Sequence, residues 1–336
     1  PSEARVGPIF AADACLLRQP PNTYWPVPTA RISHPPDAVH QSASCHFQSR
    51  WSPEALGRAR GNTWESFYAS TMVPHAPLEA LTSARCYRDA GASLQQLVPD
   101  VHCADVQEDA LNTHKLAKHI PLFTAHIQRL VRATHALCRL YPDTWTRAWS
   151  VENILASDAF KSVCEHLDAI QGSDTEQLRV SVRIHAHGTT RAIVSPLRTS
   201  RAVPTVRLDP EPVRLSGPLV SYKTDARAAY DAARQRVHGT LGAAPDGCFD
   251  VLLWHDTPEG RVVTESSIAN LVLERGHGDL VTPFLSEGLL PGLLIQELVR
   301  QNVVRQDVIR VDDMHRASRL WLCNAVRGMF RVELVS

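Results

Sequence analysis

Two neighbouring segments decide the fold: Thr264-Glu265-Ser266-Ser267-Ile268-Ala269-Asn270, and Leu289-Leu290-Pro291-Gly292-Leu293-Leu294. In the first, a carboxylate stands at the end of one strand and an amide at the start of the next. Only small side chains lie between them, which lets a flat ring approach closely. The second is a tight turn into a helix, whose first backbone N–H groups and dipole make an anion site suited to phosphate. By itself that turn reads as an ordinary turn.

The surrounding sequence is rich in strand signals. Leu215–Tyr222, Phe249–Trp254, Arg261–Glu265, Ile268–Leu273, Leu280–Thr282 and Leu320–Cys323 read as strands. Two helices interrupt them, Asp225–Leu241 and Gly292–Val304, the second starting just after Pro291. Asp256–Gly260, with its proline and glycine, is a turn between two strands.

The first half has an α+β pattern. Leu78–Tyr87 suits a strand, and Ile120–Leu140 carries Ile127, Leu130, Val131, Thr134 and Leu137 as one apolar helical stripe, with Arg129 at its edge. A helical pattern follows over 148–170. Gln177–His187 and Thr190–Leu197 read as a hairpin closed by His187-Gly188. Asn62–Ser70 is compatible with a helix. Before it, Pro20, Pro21, Pro26, Pro28, Pro35 and Pro36 deny the backbone helix and ladder donors, so extended coil is expected there. The expected division is a proline-rich extension over 1–60, a smaller α+β domain over 61–197, a linker over 198–207 and a larger strand-rich domain over 208–336. No internal repeat, Walker loop or GxGxxG occurs, since Gly276 and Gly278 lack the third glycine and the βαβ setting.

Composition bounds the function. The chain has 336 residues, 44% hydrophobic and 21% charged, enough to bury two modest cores and too apolar for intrinsic disorder. Lys plus Arg and Asp plus Glu each number 35, so neither nucleic acid nor a membrane surface is the expected partner. A small molecule is. Eight cysteines without a CxxC pair argue against a zinc site or a redox pair, so reduced thiols and no metal are expected. No apolar run reaches the ~18 residues that cross a bilayer, and the N-terminus lacks a basic-then-apolar leader. A soluble cytoplasmic protein is the expectation.

Lysine is scarce. Of 35 basic residues only Lys115, Lys118, Lys161 and Lys223 are lysines. A compositional bias explains the ratio without function, but it leaves four candidates for imine chemistry. Lys115, Lys118 and Lys161 lie in polar helical stretches. Lys223 follows the apolar Pro218–Tyr222, where a desolvated amine has a lowered pKa and forms an imine with an aldehyde.

Six segments in order, Leu81–Arg85, Thr124–Leu130, Tyr222–Arg227, Thr264–Asn270, Leu290–Leu293 and Cys323–Gly328, carry a resemblance to a known family. The chain resembles the fold-type IV pyridoxal-phosphate enzymes, class IV aminotransferase-like proteins that include branched-chain and D-amino-acid aminotransferases and 4-amino-4-deoxychorismate lyase. The likeness runs from Leu81 to Arg331. Within the family it is most similar to the lyases of the fungal type, through Ala125-His126-Ile127-Gln128-Arg129-Leu130, Arg227 four residues after Lys223, Cys323-Asn324-Ala325 and the ending Asn324–Gly328. It departs from the family in residues 1–60, and in Leu293-Leu294-Ile295 where many transaminases carry Ile-Thr-Arg.

The resemblance implies a two-domain α+β fold, with a small N-terminal domain and a C-terminal pseudo-barrel that binds pyridoxal 5′-phosphate. Lys223 would hold the cofactor as an imine and then shuttle the substrate proton. Glu265 would face the pyridine nitrogen. Arg129, the amides of Leu293 and Leu294, and Asn324 would hold the phosphate, with Asn270 fixing the strand crossing beside Glu265. Arg227, Arg327 and Arg85 would read substrate carboxylates, and His126 would be a packing histidine. The implied activity is conversion of 4-amino-4-deoxychorismate to 4-aminobenzoate and pyruvate for folate synthesis, by a homodimer. The alternatives are a class IV aminotransferase acting on a branched-chain or D-amino acid, and a non-catalytic relative, against which the pairing of Lys223 with Glu265 speaks.

Overall fold

The computed structural model describes residues 76–104, 110–170, 177–197, 202–238, 248–276 and 278–335. The proline-rich extension and Asn62–Ser70 lie outside the described residues. The first strand, β1 (Glu79–Tyr87), has all nine residues buried. It pairs antiparallel with β2 (Gln177–His185), which turns at Gly188 (φ 87°) into β3 (Thr190–Pro196). The expected hairpin is therefore present.

Three helices cover this small sheet. In α1 (Phe123–Leu140), Ile127, Leu130, Ala133 and Leu137 form the buried stripe, packed with Ala80, Ala84, Cys86, Val180 and Val182. The helix starts at Phe123, not Ile120, because Leu122 adopts a left-handed conformation (φ 57°) that a continuous right-handed helix excludes. The helical pattern over 148–170 resolves into α2 (Val151–Leu155), whose N-cap Ser150 accepts from Asn153 N–H, and α3 (Asp158–Ala169).

The second sheet closes on itself. Its strands are β4 (Thr205–Leu208), β5 (Cys248–Thr257), β6 (Gly260–Ser266), β7 (Asn270–Glu274), β8 (Leu280–Thr282), β9 (Arg305–Gln306), β10 (Arg319–Asn324) and β11 (Gly328–Leu334). The order β10-β11-β4-β5-β6-β7 returns to β10 through its pairing with β7, and β8 and β9 extend outward from β7. Val206, Leu252, Val263, Leu271, Leu273 and Leu322 fill its core. Closure leaves these six strands no free edge. Helices α4 (Ala228–His238), α5 (Leu293–Arg300) and α6 (Val311–Met314) complete the α-helices of the described residues. No helix of the described residues is long and apolar enough to cross a membrane.

Three features depart from the sequence expectation. Leu215–Tyr222 is not a strand: Gly217 at φ 86° and Pro218 begin a 3₁₀ turn over Pro218–Ser221, after which Tyr222 is extended. Thr205–Leu208, inside and just beyond the stretch read as linker, is β4, held parallel between β5 and β11. Gly328–Leu334, unassigned in the sequence reading, is the long strand β11.

The described residues form one compact unit. Within it the free edge of β1 meets the barrel's loops, with Leu81 N–H donating to Lys223 C=O at 3.0 Å and Arg85 N–H to Ala325 C=O at 2.9 Å. This seam brings Lys223 next to residues of the small sheet.

Candidate active site

Lys223 sits where the chain leaves the 3₁₀ turn, and its position is fixed by β1. Besides the Leu81 bond, Asp225 N–H donates to Glu79 C=O at 3.2 Å, and the Asp225 carboxylate accepts from Leu78 and Glu79 N–H at 3.3 and 3.1 Å. The Lys223 amine makes no hydrogen bond or ion pair among the described residues. Burial, then the nearby guanidiniums of Arg129, Arg227 and Arg179, pull it down to about 7, against an opposing pull from Glu265. Near neutral pH a substantial fraction is therefore the free, nucleophilic amine.

Glu265 is 3% exposed and lies opposite Asn270, the one register pair between β6 and β7. The two strands diverge there through the Ser266–Ala269 turn. Glu265 Oε1 accepts from Tyr230 Oη at 2.7 Å and Leu290 N–H at 2.9 Å, and Oε2 from Asn270 Nδ2 at 3.3 Å. All three donors are neutral. Burial pushes the carboxyl up to about 8, opposed by the Leu290 and Tyr230 bonds and by Arg227, and reinforced by Asp250.

Arg129 projects from α1 to the Leu290-Pro291-Gly292 turn, where Nη2 donates to Pro291 C=O at 3.0 Å. It is 9% exposed and meets no carboxylate, and burial followed by Arg132 lowers it to about 9. The turn feeds α5, whose N-cap Gly292 provides no side-chain acceptor, so the N–H groups of the first helical turn keep their capacity for an anion. Asn270 Nδ2 also donates to Leu290 C=O at 2.8 Å, tying the turn to the Glu265 strand. A Cβ at Gly292 would collide with the Asn270 amide oxygen, which is why only glycine fits there.

Pyridoxal phosphate presents an aldehyde, a ring nitrogen and a phosphate. The donor set fits all three: a partly deprotonated amine, a buried carboxyl lacking a cationic partner, and a buried guanidinium without a counter-anion beside a helix N-terminus. His126, 3% exposed on α1, bonds Thr82 Oγ1 through Nδ1 at 2.6 Å and leaves Nε2 unpartnered. Burial, Arg129 and Lys223 hold it well below the usual imidazole range, hence neutral.

Of the arginines expected to meet substrate carboxylates, Arg85 and Arg327 lie close enough to act on one another, and Arg227 lies close enough to act on Lys223. Arg85 pairs in register with Arg179 across β1 and β2. Burial, Arg179 and Arg85 together lower Arg327, which lies over the Phe249 ring at 4.9 Å. None of Arg85, Arg179 and Arg327 has a carboxylate partner among the described residues, and Arg179 also acts on Lys223. Arg227 instead donates to Ser267 C=O at 2.6 Å and pairs weakly with Asp231 at 3.9 Å, bracing the segment between Lys223 and Glu265. The Asn324 side chain is engaged in a turn: Oδ1 accepts from Val326 and Arg327 N–H at 3.0 and 2.8 Å, and Nδ2 donates to Ile268 C=O at 3.3 Å. These bonds hold the turn that carries Arg327.

Tyr230 and Arg179 escaped the sequence reading. The available signals were the place of Tyr230 in the helical pattern that follows Lys223, and the alternation that sets Arg179 on the same face as Ser181 in β2.

The model of the family described as amino-transferase class IV matches residues 111–335. The chain belongs to the class IV aminotransferase family. Its members are pyridoxal-phosphate enzymes. No curated protein sequence matches significantly. Among solved structures, a protein assigned as an amino-acid aminotransferase from Mesorhizobium loti is similar at 22% identity and TM-score 0.54, over 77% of this chain and 100% of that one. The Escherichia coli branched-chain amino acid aminotransferase is similar at 14% identity and TM-score 0.50, over 80% and 82%. A protein assigned as a 4-amino-4-deoxychorismate lyase from Legionella pneumophila is similar at 17% identity and TM-score 0.48, over 77% and 83%. The first two likenesses speak to the fold, which in this class IV family member is the barrel and small sheet described above.

Proposed function

We propose that this class IV family member is a 4-amino-4-deoxychorismate lyase, forming 4-aminobenzoate and pyruvate with Lys223 as the catalytic residue. The observation that carries this reading is the set Arg85, Arg179 and Arg327, in which Arg85 and Arg179 pair in register, both act on Arg327, Arg179 also acts on Lys223, and none has an acidic partner among the described residues. Three uncompensated guanidiniums suit a substrate with two carboxylates, which this one has, on its ring and on its enolpyruvyl group. The Ala125–Leu130 and Cys323–Ala325 segments, similar to those of the lyases, support the same choice.

Bound pyridoxal phosphate supplies an electron sink next to the substrate nitrogen. Arg129 and the first amides of α5 would hold its phosphate, and the Glu265 carboxylate its ring nitrogen. With substrate bound, Lys223 Nζ would be the base that takes the proton from the ring carbon bearing nitrogen. The arginines hold the two carboxylates so that this C–H faces the amine. The carbon–oxygen bond to the enolpyruvyl group then breaks, its electrons leaving with that group, which becomes pyruvate as it gains a proton. The ring becomes aromatic, so neither a second substrate nor water is consumed. A homodimer is part of the same reading, checked by light scattering. Lyase activity is tested by supplying 4-amino-4-deoxychorismate without a keto acid and following 4-aminobenzoate. Turnover only with an amino donor and a keto acid would make the protein an aminotransferase.

A further inference from the structure

The bonds around Glu265 are asymmetric. Oε1 accepts from both Tyr230 Oη (2.7 Å) and Leu290 N–H (2.9 Å), whereas Oε2 accepts only from Asn270 Nδ2 (3.3 Å). Oε1 therefore has its usual complement of donors, and Oε2 is the oxygen left to take another. Tyr230 comes from α4, which begins five residues after Lys223, so one short stretch of chain reaches both the amine and the carboxyl. We propose that Tyr230 is a positioning residue for the cofactor ring, fixing Glu265 with Oε2 presented and keeping the proton shared with the ring nitrogen on the nitrogen.

The proposal rests on pyridoxal phosphate occupying this site. A hydrogen bond donated to a carboxylate lowers its basicity, and a less basic carboxylate leaves a shared proton on its partner. Tyr230 is suited to be a permanent donor: burial and the adjacent Glu265 push its phenol well above its usual range, so it keeps its proton. Its ring is held from two sides, by the Arg227 guanidinium at 5.0 Å and by the apolar group of Ala233, Val251 and Leu253. The other groups that act on Glu265 are Asn270, the Leu290 N–H, Arg227 and Asp250, and none of them would replace the phenol at Oε1. Tyr230→Phe keeps the ring packing and removes the donor alone.

The test compares binding of pyridoxal 5′-phosphate with that of its 1-deaza analogue, in which CH replaces the ring nitrogen, using the full chain. Tyr230→Phe is expected to weaken the natural cofactor about tenfold, the scale of one hydrogen bond to a charged group, and to leave the analogue's affinity unchanged. In a Glu265→Gln background the same substitution should change neither, because its effect passes through the carboxylate. Equal weakening of cofactor and analogue would mark Tyr230 as structural and overturn the proposal, as would unchanged affinity for pyridoxal phosphate. An unmutated protein that binds neither molecule would overturn the reading of the site itself, and the proposal with it.

Discussion

Arg129 donates to the Pro291 carbonyl at 3.0 Å and has no carboxylate beside it, so a buried cation is held at the mouth of a helix N-terminus with only a neutral partner. A buried unpaired charge is costly, and a bound phosphate would offset that cost. Pyridoxal phosphate should therefore raise the melting temperature. Arg129→Gln should lower cofactor affinity by at least about tenfold, the loss of one charge-assisted contact, while the ligand-free melting temperature stays unchanged or rises. Equal affinity for the two proteins would remove Arg129 from the phosphate site.

Gly292→Ala tests the connection between the turn and the carboxyl. The added Cβ meets the Asn270 amide oxygen, so Asn270 must leave its bonds to Leu290 and Glu265. Loss of a buried hydrogen bond and the clash together should cost about 1–3 kcal/mol of stability and weaken cofactor binding. Denaturant melts and a cofactor titration read both. A neutral substitution would show that the turn is pliable.

The two central ionisable groups make opposite contributions to stability in the ligand-free protein. Lys223 is pulled from 10.5 to about 7, so between those values the unfolded chain binds the proton that the folded one refuses, and stability falls as pH drops. Glu265 is pushed from 4.5 to about 8, so in that window the folded protein keeps a proton that the unfolded chain releases, and stability falls as pH rises. Lys223→Met should gain on the parent as pH falls from 10 to 7, and Glu265→Gln as pH rises from 5 to 8. Melting-temperature differences independent of pH would contradict both assignments.

Substrate recognition is separable from cofactor binding. Arg179→Gln and Arg327→Gln should each raise KM for 4-amino-4-deoxychorismate by tenfold or more, about the loss of one charge-assisted bond, with pyridoxal phosphate affinity unchanged. Arg227→Gln, whose partners are Ser267 and Asp231, should act on stability instead. Unaltered KM in the first two variants would remove the arginine cluster from the substrate site.

Much of this site is local in the sequence and was legible there. Lys223 stood out among four lysines, Glu265 and Asn270 flank a run of small residues, and the Pro291-Gly292 turn opens a helix. What was hidden depends on long-range pairing. Thr205–Leu208 is four residues between Pro204 and Asp209, and it becomes a strand only because β5 and β11 supply its partners from 43 and 128 residues away by Cα register, at Cys248 and Glu333. The Pro218 turn overrode an apolar run that propensity alone assigns to a strand. Arg179 is a surface residue in the sequence and in the fold, and only the β1 register sets Arg85 opposite it, while the Tyr230 contact exists only once α4 is docked on the barrel.

The most direct test is to incubate purified protein, loaded with pyridoxal phosphate, with enzymatically made 4-amino-4-deoxychorismate and no keto acid, and to follow 4-aminobenzoate by its fluorescence. The account predicts 4-aminobenzoate and pyruvate in equal amounts, abolished in Lys223→Ala. Absence of 4-aminobenzoate from protein that has taken up the cofactor would contradict it.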